Sequence, residues 1–177
     1  MSWAHIHLAL NHVPVIGLLL VLLLLAVASL RRSAELMRVS YGLLVLLAAA
    51  TVVVYLTGEP AEELVKNLPG FSEALVEHHE EVTLIATIGM GVLGQIALVG
   101  LIRFRTPRIQ PAWYGRGVLL LALLMGCLMA WTANLGGQIR HSEIRTDRGT
   151  ASEAGAPVSA SPAARPDRDD GGTVGNW

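Results

Sequence analysis

The chain has 177 residues, of which 53% are hydrophobic and only 15% are charged, and its formal net charge is −1. This composition is too apolar for an ordinary soluble domain, and a net charge near zero provides no global field that would favour nucleic acid as a partner. The single cysteine, Cys127, excludes an intrachain disulfide, a CxxCH attachment site for c-type haem and a zinc cluster of cysteines.

Four long apolar segments predict four membrane-spanning helices. Each segment has close to the ~20 residues that a helix needs to cross a hydrocarbon core of roughly 30 Å. Each is continuous and leucine-rich rather than alternating, which argues against β-strands. The predicted spans, in chain order, are about 13–30, 39–57, 82–102 and 117–135. We therefore predict an all-α fold in which residues 1–145 form a four-transmembrane-helix bundle.

The first span is predicted to be retained rather than removed as a signal peptide, although Ala26-Val27-Ala28 resembles a cleavage site. The stretch Met1–Asn11 has no lysine or arginine, whereas a signal peptide requires positive charge there. Positive charge follows the segment instead, at Arg31-Arg32. This arrangement favours a span whose N-terminus lies outside the cytoplasm.

Charges in the predicted loops indicate the orientation of the bundle. The connection between spans two and three has five glutamates against one base, Lys66, and we expect a short amphipathic helix there, closed by Pro69-Gly70. The other two connections are basic (Arg31, Arg32 and Arg38; Arg103, Arg105, Arg108 and Arg116). Because basic loops remain in the cytoplasm, we predict that both termini lie outside it.

This orientation places all six histidines on the outer side. They stand at or before the start of span one, at the start of span three and just after span four (His5, His7, His12; His78, His79; His141). Each alone is compatible with a solvated or interfacial side chain. Together they indicate a ligand site, because sites in helix bundles are built from facing helices and histidine is the commonest metal ligand.

Helical spacing limits which histidines can act together. Neighbouring residues point about 100° apart, so only one of His78 and His79 is expected to face the bundle. Two ligands seven residues apart on one helix lie roughly 10 Å apart along its axis, too far to hold one ion. A shared centre must therefore use different helices. We predict His12 with His79 as the first ligand pair for haem iron or another metal, and His7 with His141 as a second pair.

Polar residues near the histidines are predicted to support this site. On span three, Thr83, Thr87, Gly91 and Gln95 continue from His79 at four-residue spacing, and we expect this line to face the bundle interior. The alternative is that threonine and glycine here serve only close helix packing. The residues predicted to support the ligands are Asn11, Thr83, Asn134 and Gln138.

Two further segments have simpler interpretations. The GxGxxG pattern at 89–94 lies inside an apolar span with no preceding strand, so we interpret its glycines, with Gly100, as sites of close helix approach. Residues 146–177 are rich in Ala, Pro, Gly, Ser, Arg and Asp, and they have almost no large apolar side chain. This composition predicts a disordered outer tail.

Several of these motifs resemble an uncharacterised bacterial family of small four-helix membrane proteins. That family has a His-Pro-x-x-Val-His-Phe-Pro-like signature in its first helix, and the stretch here, 7–14, keeps both histidines and the second proline but has Leu8 and Val13 instead of the first proline and the aromatic residue. Thr57-Gly58, His79, and Gly136-Gly137 followed by His141 match its other motifs. The resemblance covers roughly residues 3–144. It implies haem binding, or a role near respiratory redox chains, in a bacterial cytoplasmic membrane.

Three functions remain open at this point. The first is a b-type haem or redox-metal protein, in or near a respiratory electron-transfer chain, with an outer-side redox protein or respiratory complex as partner. The second is a cofactor-free membrane anchor or assembly subunit, and the third is a zinc or copper protein without haem. No nucleophile–base pair identifies an enzyme, so an electron carrier or accessory subunit is favoured over a stand-alone enzyme. Lipid is an expected partner, and nucleic acid is not.

Overall fold

The computed structural model describes residues 3–66, 71–104 and 110–141, and every regular element in this part of the chain is an α-helix. The helices are α1 (Trp3–Leu10), α2 (His12–Arg31), α3 (Ala34–Leu56), α4 (Gly58–Val65), α5 (Glu73–Arg103) and α6 (Ala112–Arg140). Helix α4 confirms the short helix predicted between spans two and three. The predicted closure of that loop at Pro69-Gly70 and the predicted tail, 146–177, lie outside the described residues.

Four helical stretches are long and apolar enough to cross a membrane. They are Trp3–Arg31, Ala34–Leu56, Glu73–Arg103 and Ala112–Ile139. The predicted all-α class with four membrane-spanning helices is therefore confirmed, and the chain is a multi-pass membrane protein. The helices extend beyond the predicted spans, most clearly in α5, because hydropathy marks only the part that crosses the hydrocarbon while the helix continues through polar residues.

Helices α1 and α2 form one 29-residue stretch with a single interruption at Asn11. The backbone of Asn11 is itself helical (φ −58°, ψ −28°), and its N–H donates to the carbonyl oxygen of His7 at 2.8 Å. Three residues later Pro14 has no N–H, so the regular bond to the carbonyl of Leu10 cannot form. The proline thus accounts for the interruption between the first two histidines and the span.

Helices α2, α3, α5 and α6 form the bundle, and each contacts two neighbours. Helix α2 packs against α3 and α6, and α5 packs against the same two helices. The core contains fully buried side chains such as Leu25, Leu44, Met90 and Leu93, whereas the outer surface is made of large exposed leucines, isoleucines and valines. An apolar surface this extensive is typical of contact with lipid rather than water.

Helices α3 and α5 approach most closely at Gly94. A Cβ atom at Gly94 would lie 2.5 Å from the Cβ of Ala48, so only glycine permits the observed packing. At Gly100 an added Cβ would lie 2.8 Å from the ring of Tyr41. Close helix approach is therefore confirmed for these two glycines. Around Gly91, however, no described atom of the chain lies within 4 Å of an added Cβ, so no helix in that part of the chain approaches this glycine closely.

The polar line predicted on α5 turns away from the bundle interior. Its first members, His79 and Thr83, are half-buried, but Gln95 is exposed. Residues four positions apart on a helix are offset by about 40°, so four steps from His79 to Gln95 rotate the direction by roughly 160°. The expectation that Gln95 faces the interior is wrong for this reason.

Candidate histidine site

The topology brings all six histidines to one end of the bundle. Helices α2 and α5 begin at this end and α3 and α6 finish there, while α1 and α4 contact each other beside it. We call it the histidine end, defined by His7, Thr57, His79 and Gly136. The basic residues that end α2 and α5, Arg31 and Arg103, lie at the opposite end.

His7 is half-buried where α1 meets the C-terminal end of α3. Its Nδ1 atom lies 3.0 Å from the carbonyl oxygen of Val54 and 3.3 Å from Oγ1 of Thr57. A carbonyl oxygen can only accept, so Nδ1 must carry the proton and donate it. In the neutral ring Nε2 then keeps its lone pair, which is the state in which an imidazole binds a metal or accepts a proton.

The His7 ring lies close to Thr57 and Gly58. The buried hydroxyl of Thr57 lies 3.0 Å from the carbonyl oxygens of both Val53 and Val54, to which it can donate, so its lone pairs face His7. An added Cβ at Gly58 would lie 3.8 Å from Cε1 of His7, in ordinary van der Waals contact. The Thr-Gly motif at the end of α3 thus has a direct structural role beside the imidazole.

His79 is half-buried between α5 and α6. Its Nε2 atom lies 3.4 Å from Oγ1 of Thr83, one turn along α5. Its Nδ1 atom is buried and has no hydrogen-bond partner among the described residues, although the backbone of Thr132 lies nearby. A Cβ at Gly136 would lie 3.2 Å from Cε1 of His79, so a glycine on α6 lets this ring pack closely.

His7 and His79 lie at the histidine end on different helices, α1 and α5, near enough for an electrostatic interaction between the two rings. They are also the two histidines that are partly buried, whereas His5, His12, His78 and His141 are exposed. Near them the Oδ1 atom of Asn11 is a second buried polar atom without a partner in the described part of the chain.

The ligand pairs predicted from the sequence, His12 with His79 and His7 with His141, stay predictions. His12 and His141 lie at the histidine end but are exposed. Helical spacing alone could not select His7 as the neighbour of His79, because the direction of α1 depends on its contacts with α3 and α4. The signal in the sequence was Thr57, whose hydroxyl lies 3.3 Å from Nδ1 of His7.

The residues predicted to support the ligands have different surroundings. Thr83 lies against His79, and Asn11 is half-buried at the junction of α1 and α2. Asn134 is exposed on α6, where its Oδ1 accepts a hydrogen bond from Nε2 of Gln138 at 2.7 Å. Thr83 therefore has a direct contact with a candidate ligand.

His78 points to a different surface from its neighbour His79, as the helical spacing predicted. Its ring lies 6.0 Å from the ring of Trp131 in an edge-on arrangement, and its Nδ1 lies 4.0 Å from a carboxylate oxygen of Glu81. Both His78 and Trp131 are exposed. His78 thus offers a control of the same chemistry, one residue away from the candidate site.

Two imidazoles are the donor set that the described residues offer. Within 3–66, 71–104 and 110–141, no three histidine, cysteine, aspartate or glutamate side chains are grouped so that they could hold one metal ion. The lone Cys127 is exposed on the middle of α6, far along the helix from His141. The candidate donors at the histidine end are therefore imidazole nitrogens.

The opposite end of the bundle contains a tyrosine network that sequence reasoning did not find. The ring of Tyr41 is fully buried, and its hydroxyl accepts a hydrogen bond from Nε2 of Gln110. Tyr114 packs edge-on against it and donates to the carbonyl oxygen of Ile96 at 2.5 Å. These contacts join α3, α5 and α6 where Gly100 leaves room for both rings.

Comparisons with known proteins assign no family to the chain. No protein-family model, curated protein or solved structure matches it. The function is therefore argued from the geometry of the histidine end.

Proposed function

We propose that this membrane protein holds a b-type haem or a redox metal between His7 and His79 and transfers electrons in or near a respiratory chain. The observation that carries the proposal is that two partly buried imidazoles, His7 and His79, come from different helices at one end of the bundle. Bis-imidazole ligation needs two such histidines at similar depth.

The nitrogen atoms of this pair fit a metal centre. The bond from Nδ1 of His7 to the carbonyl of Val54 is the kind of contact that orients a ligating histidine and leaves its other nitrogen available. The Nδ1 atom of His79 is buried at this end of the bundle, with the Thr132 backbone close to the ring.

The surrounding residues would position the ligands, and the bound group would supply one-electron redox chemistry. Val54 and Thr57 accept the hydrogen bond from Nδ1 of His7, which fixes the direction of the ring. Thr83 contacts the His79 ring from α5, and Gly136 admits it from α6. Four helices thus contribute to the environment of the pair.

The histidine end is proposed to lie outside the cytoplasm of a bacterium, in its cytoplasmic membrane. The opposite end carries Arg31, Arg32, Arg38 and Arg103, and basic loops remain in the cytoplasm. The resemblance of the histidine and Thr-Gly motifs to a bacterial family supports the same membrane. With every histidine at one end, electrons would be exchanged with an outer-side redox protein, a respiratory complex or the quinone layer.

Absorption spectra of the purified protein, oxidised and reduced, test this function. Cells are supplied with haem, the pigment is identified after extraction, and bound metals are measured by elemental analysis. We expect a Soret band or a stoichiometric metal in the wild type and in His78→Ala, the matched control. We expect its loss in His7→Ala and in His79→Ala, each compared with the wild type for helical content and thermal unfolding.

Three results would contradict the proposal. A wild-type protein without haem or stoichiometric metal, even after supplementation, would favour the cofactor-free anchor or assembly subunit. Loss of the bound group in His12→Ala but not in His7→Ala would assign the ligands to the pair predicted from the sequence. Zinc or copper without haem and without redox activity would favour the third function.

A further inference from the structure

A glutamine is exposed within the apolar part of α5, about two turns before the helix ends. Gln95 is exposed, and its amide has no hydrogen-bond partner among the described residues. At 1.5 Å per residue it lies roughly 20 Å from Val82 and roughly 10 Å from Ile102, the two ends of the apolar part of the helix. Long basic side chains near helix ends can reach the interface, but a shorter amide at this depth cannot. A polar group left unsatisfied in hydrocarbon is costly.

Gln95 belongs to a regular stripe of exposed β-branched side chains. We call this stripe the Gln95 seam, and its members alternate at three and four residues: Ile85, Ile88, Val92, Gln95, Val99 and Ile102. In the single chain, the exposed fraction of the apolar members ranges from 50% at Val92 to 62% at Ile102. The exposed surfaces in the middle of α2 and α6 are made of leucine instead.

The spacing of the seam is that of a helix that packs alongside another helix. Apolar residues at alternating three and four positions form the contact surface of a coiled coil, and a single polar residue among them sets register and partner number. Gly91, one turn before Gln95, has nothing within 4 Å of an added Cβ, so a neighbouring helix can approach closely there.

We propose that the Gln95 seam is an interface between two copies of this chain, in which the two Gln95 amides bond to each other. An amide has both donors and an acceptor. Across a two-fold axis, the Gln95 amide of each copy can therefore donate to, and accept from, the Gln95 amide of the other copy. A second copy of the chain supplies the complementary group at the required depth, because Gln95 of one copy then faces Gln95 of the other. The interface also removes the unsatisfied amide from lipid.

Energy transfer between labelled copies in lipid vesicles tests the interface. The full chain is reconstituted in phosphatidylcholine and phosphatidylglycerol over a range of protein-to-lipid ratios. We expect the wild type to dimerise and Gln95→Leu to dimerise about tenfold more weakly, the effect of losing interhelical hydrogen bonds in a membrane. Gln95→Asn, which keeps an amide, should retain more of the affinity. Leu124→Ala, at an exposed leucine of α6, is the control and should behave as the wild type.

Cysteine cross-linking locates the contact independently. In a Cys127→Ala background, Val99→Cys should form a disulfide-linked dimer on oxidation, whereas the native Cys127 on α6 should not. A wild type that stays monomeric at every protein-to-lipid ratio would overturn the proposal. So would equal dimerisation of Gln95→Leu, or pairing of the seam with a different membrane protein in place of a second copy.

Discussion

Replacing Gly94 by alanine should separate α3 from α5. The added Cβ would lie 2.5 Å from the Cβ of Ala48, whereas carbon atoms pack best at about 3.5–4.0 Å. The helices must therefore move apart by roughly 1 Å, because the Cβ of Ala48 is attached to the backbone and cannot rotate away. At Gly89, by contrast, the atom in the way is the flexible sulfur of Met125.

The expected loss of stability follows from two opposing effects. Overpacking a core costs about 1–3 kcal/mol, and the upper end applies where no side-chain rotation relieves the contact. Against this, alanine favours a helix over glycine by about 1 kcal/mol. Separation also loosens the fully buried Leu44 and Leu93, on the two facing helices. We therefore expect Gly94→Ala to lower the free energy of unfolding by about 2 kcal/mol.

Equilibrium unfolding in mixed micelles, followed by circular dichroism, measures this difference. Gly42→Ala on α3 is the matched control, since nothing lies within 4 Å of its added Cβ, and it should be as stable as the wild type or slightly more so. The double variant Gly94→Ala, Ala48→Gly should recover most of the loss. Equal stability of Gly94→Ala and Gly42→Ala, or no recovery in the double variant, would refute the reasoning.

The remaining predictions concern the two ends of the bundle. Gly136→Ala should shift the His79 ring by a few tenths of an ångström, because the new Cβ would lie 3.2 Å from Cε1 of His79. We expect an altered absorption spectrum or reduced retention of the bound group. The free energy of unfolding should change by less than about 1 kcal/mol. An unchanged spectrum would place His79 away from the site. Tyr41→Phe should lower the free energy of unfolding by about 1 kcal/mol, since the amide of Gln110 loses its partner. Its control is Ser40→Ala, which removes a hydrogen bond to the Leu36 carbonyl of the same helix. Equal losses of unfolding free energy in the two variants would contradict a special role for the tyrosine network.

Much of the fold could be predicted because a membrane imposes strong constraints on a sequence. A helix that crosses hydrocarbon must be apolar along about 20 residues, and that requirement is visible without knowledge of tertiary contacts. The short helix α4 and the separation of His78 from His79 followed from local periodicity in the same way.

The candidate site was less predictable because it depends on how α1 lies against the other helices. His7 is joined to Val54 and Thr57 across about fifty residues, and no spacing within α1 contains that information. The direction of Gln95 was predicted wrongly, since a line drawn every four residues rotates around a helix of 3.6 residues per turn. Only contacts with α3 show which part of α5 faces the core.

The order of apolar and polar segments is enough to predict an all-α membrane protein with four spanning helices. The same order places the histidines at the opposite end from Arg31, Arg32, Arg38 and Arg103, whatever the packing of the helices. Tertiary contacts were needed to show that His7 and His79 are the partly buried histidines, that Gly94 brings α3 against α5, and that Gln95 is exposed. Each of these depends on the rotation of one helix relative to another, which is set by side-chain packing between distant parts of the chain.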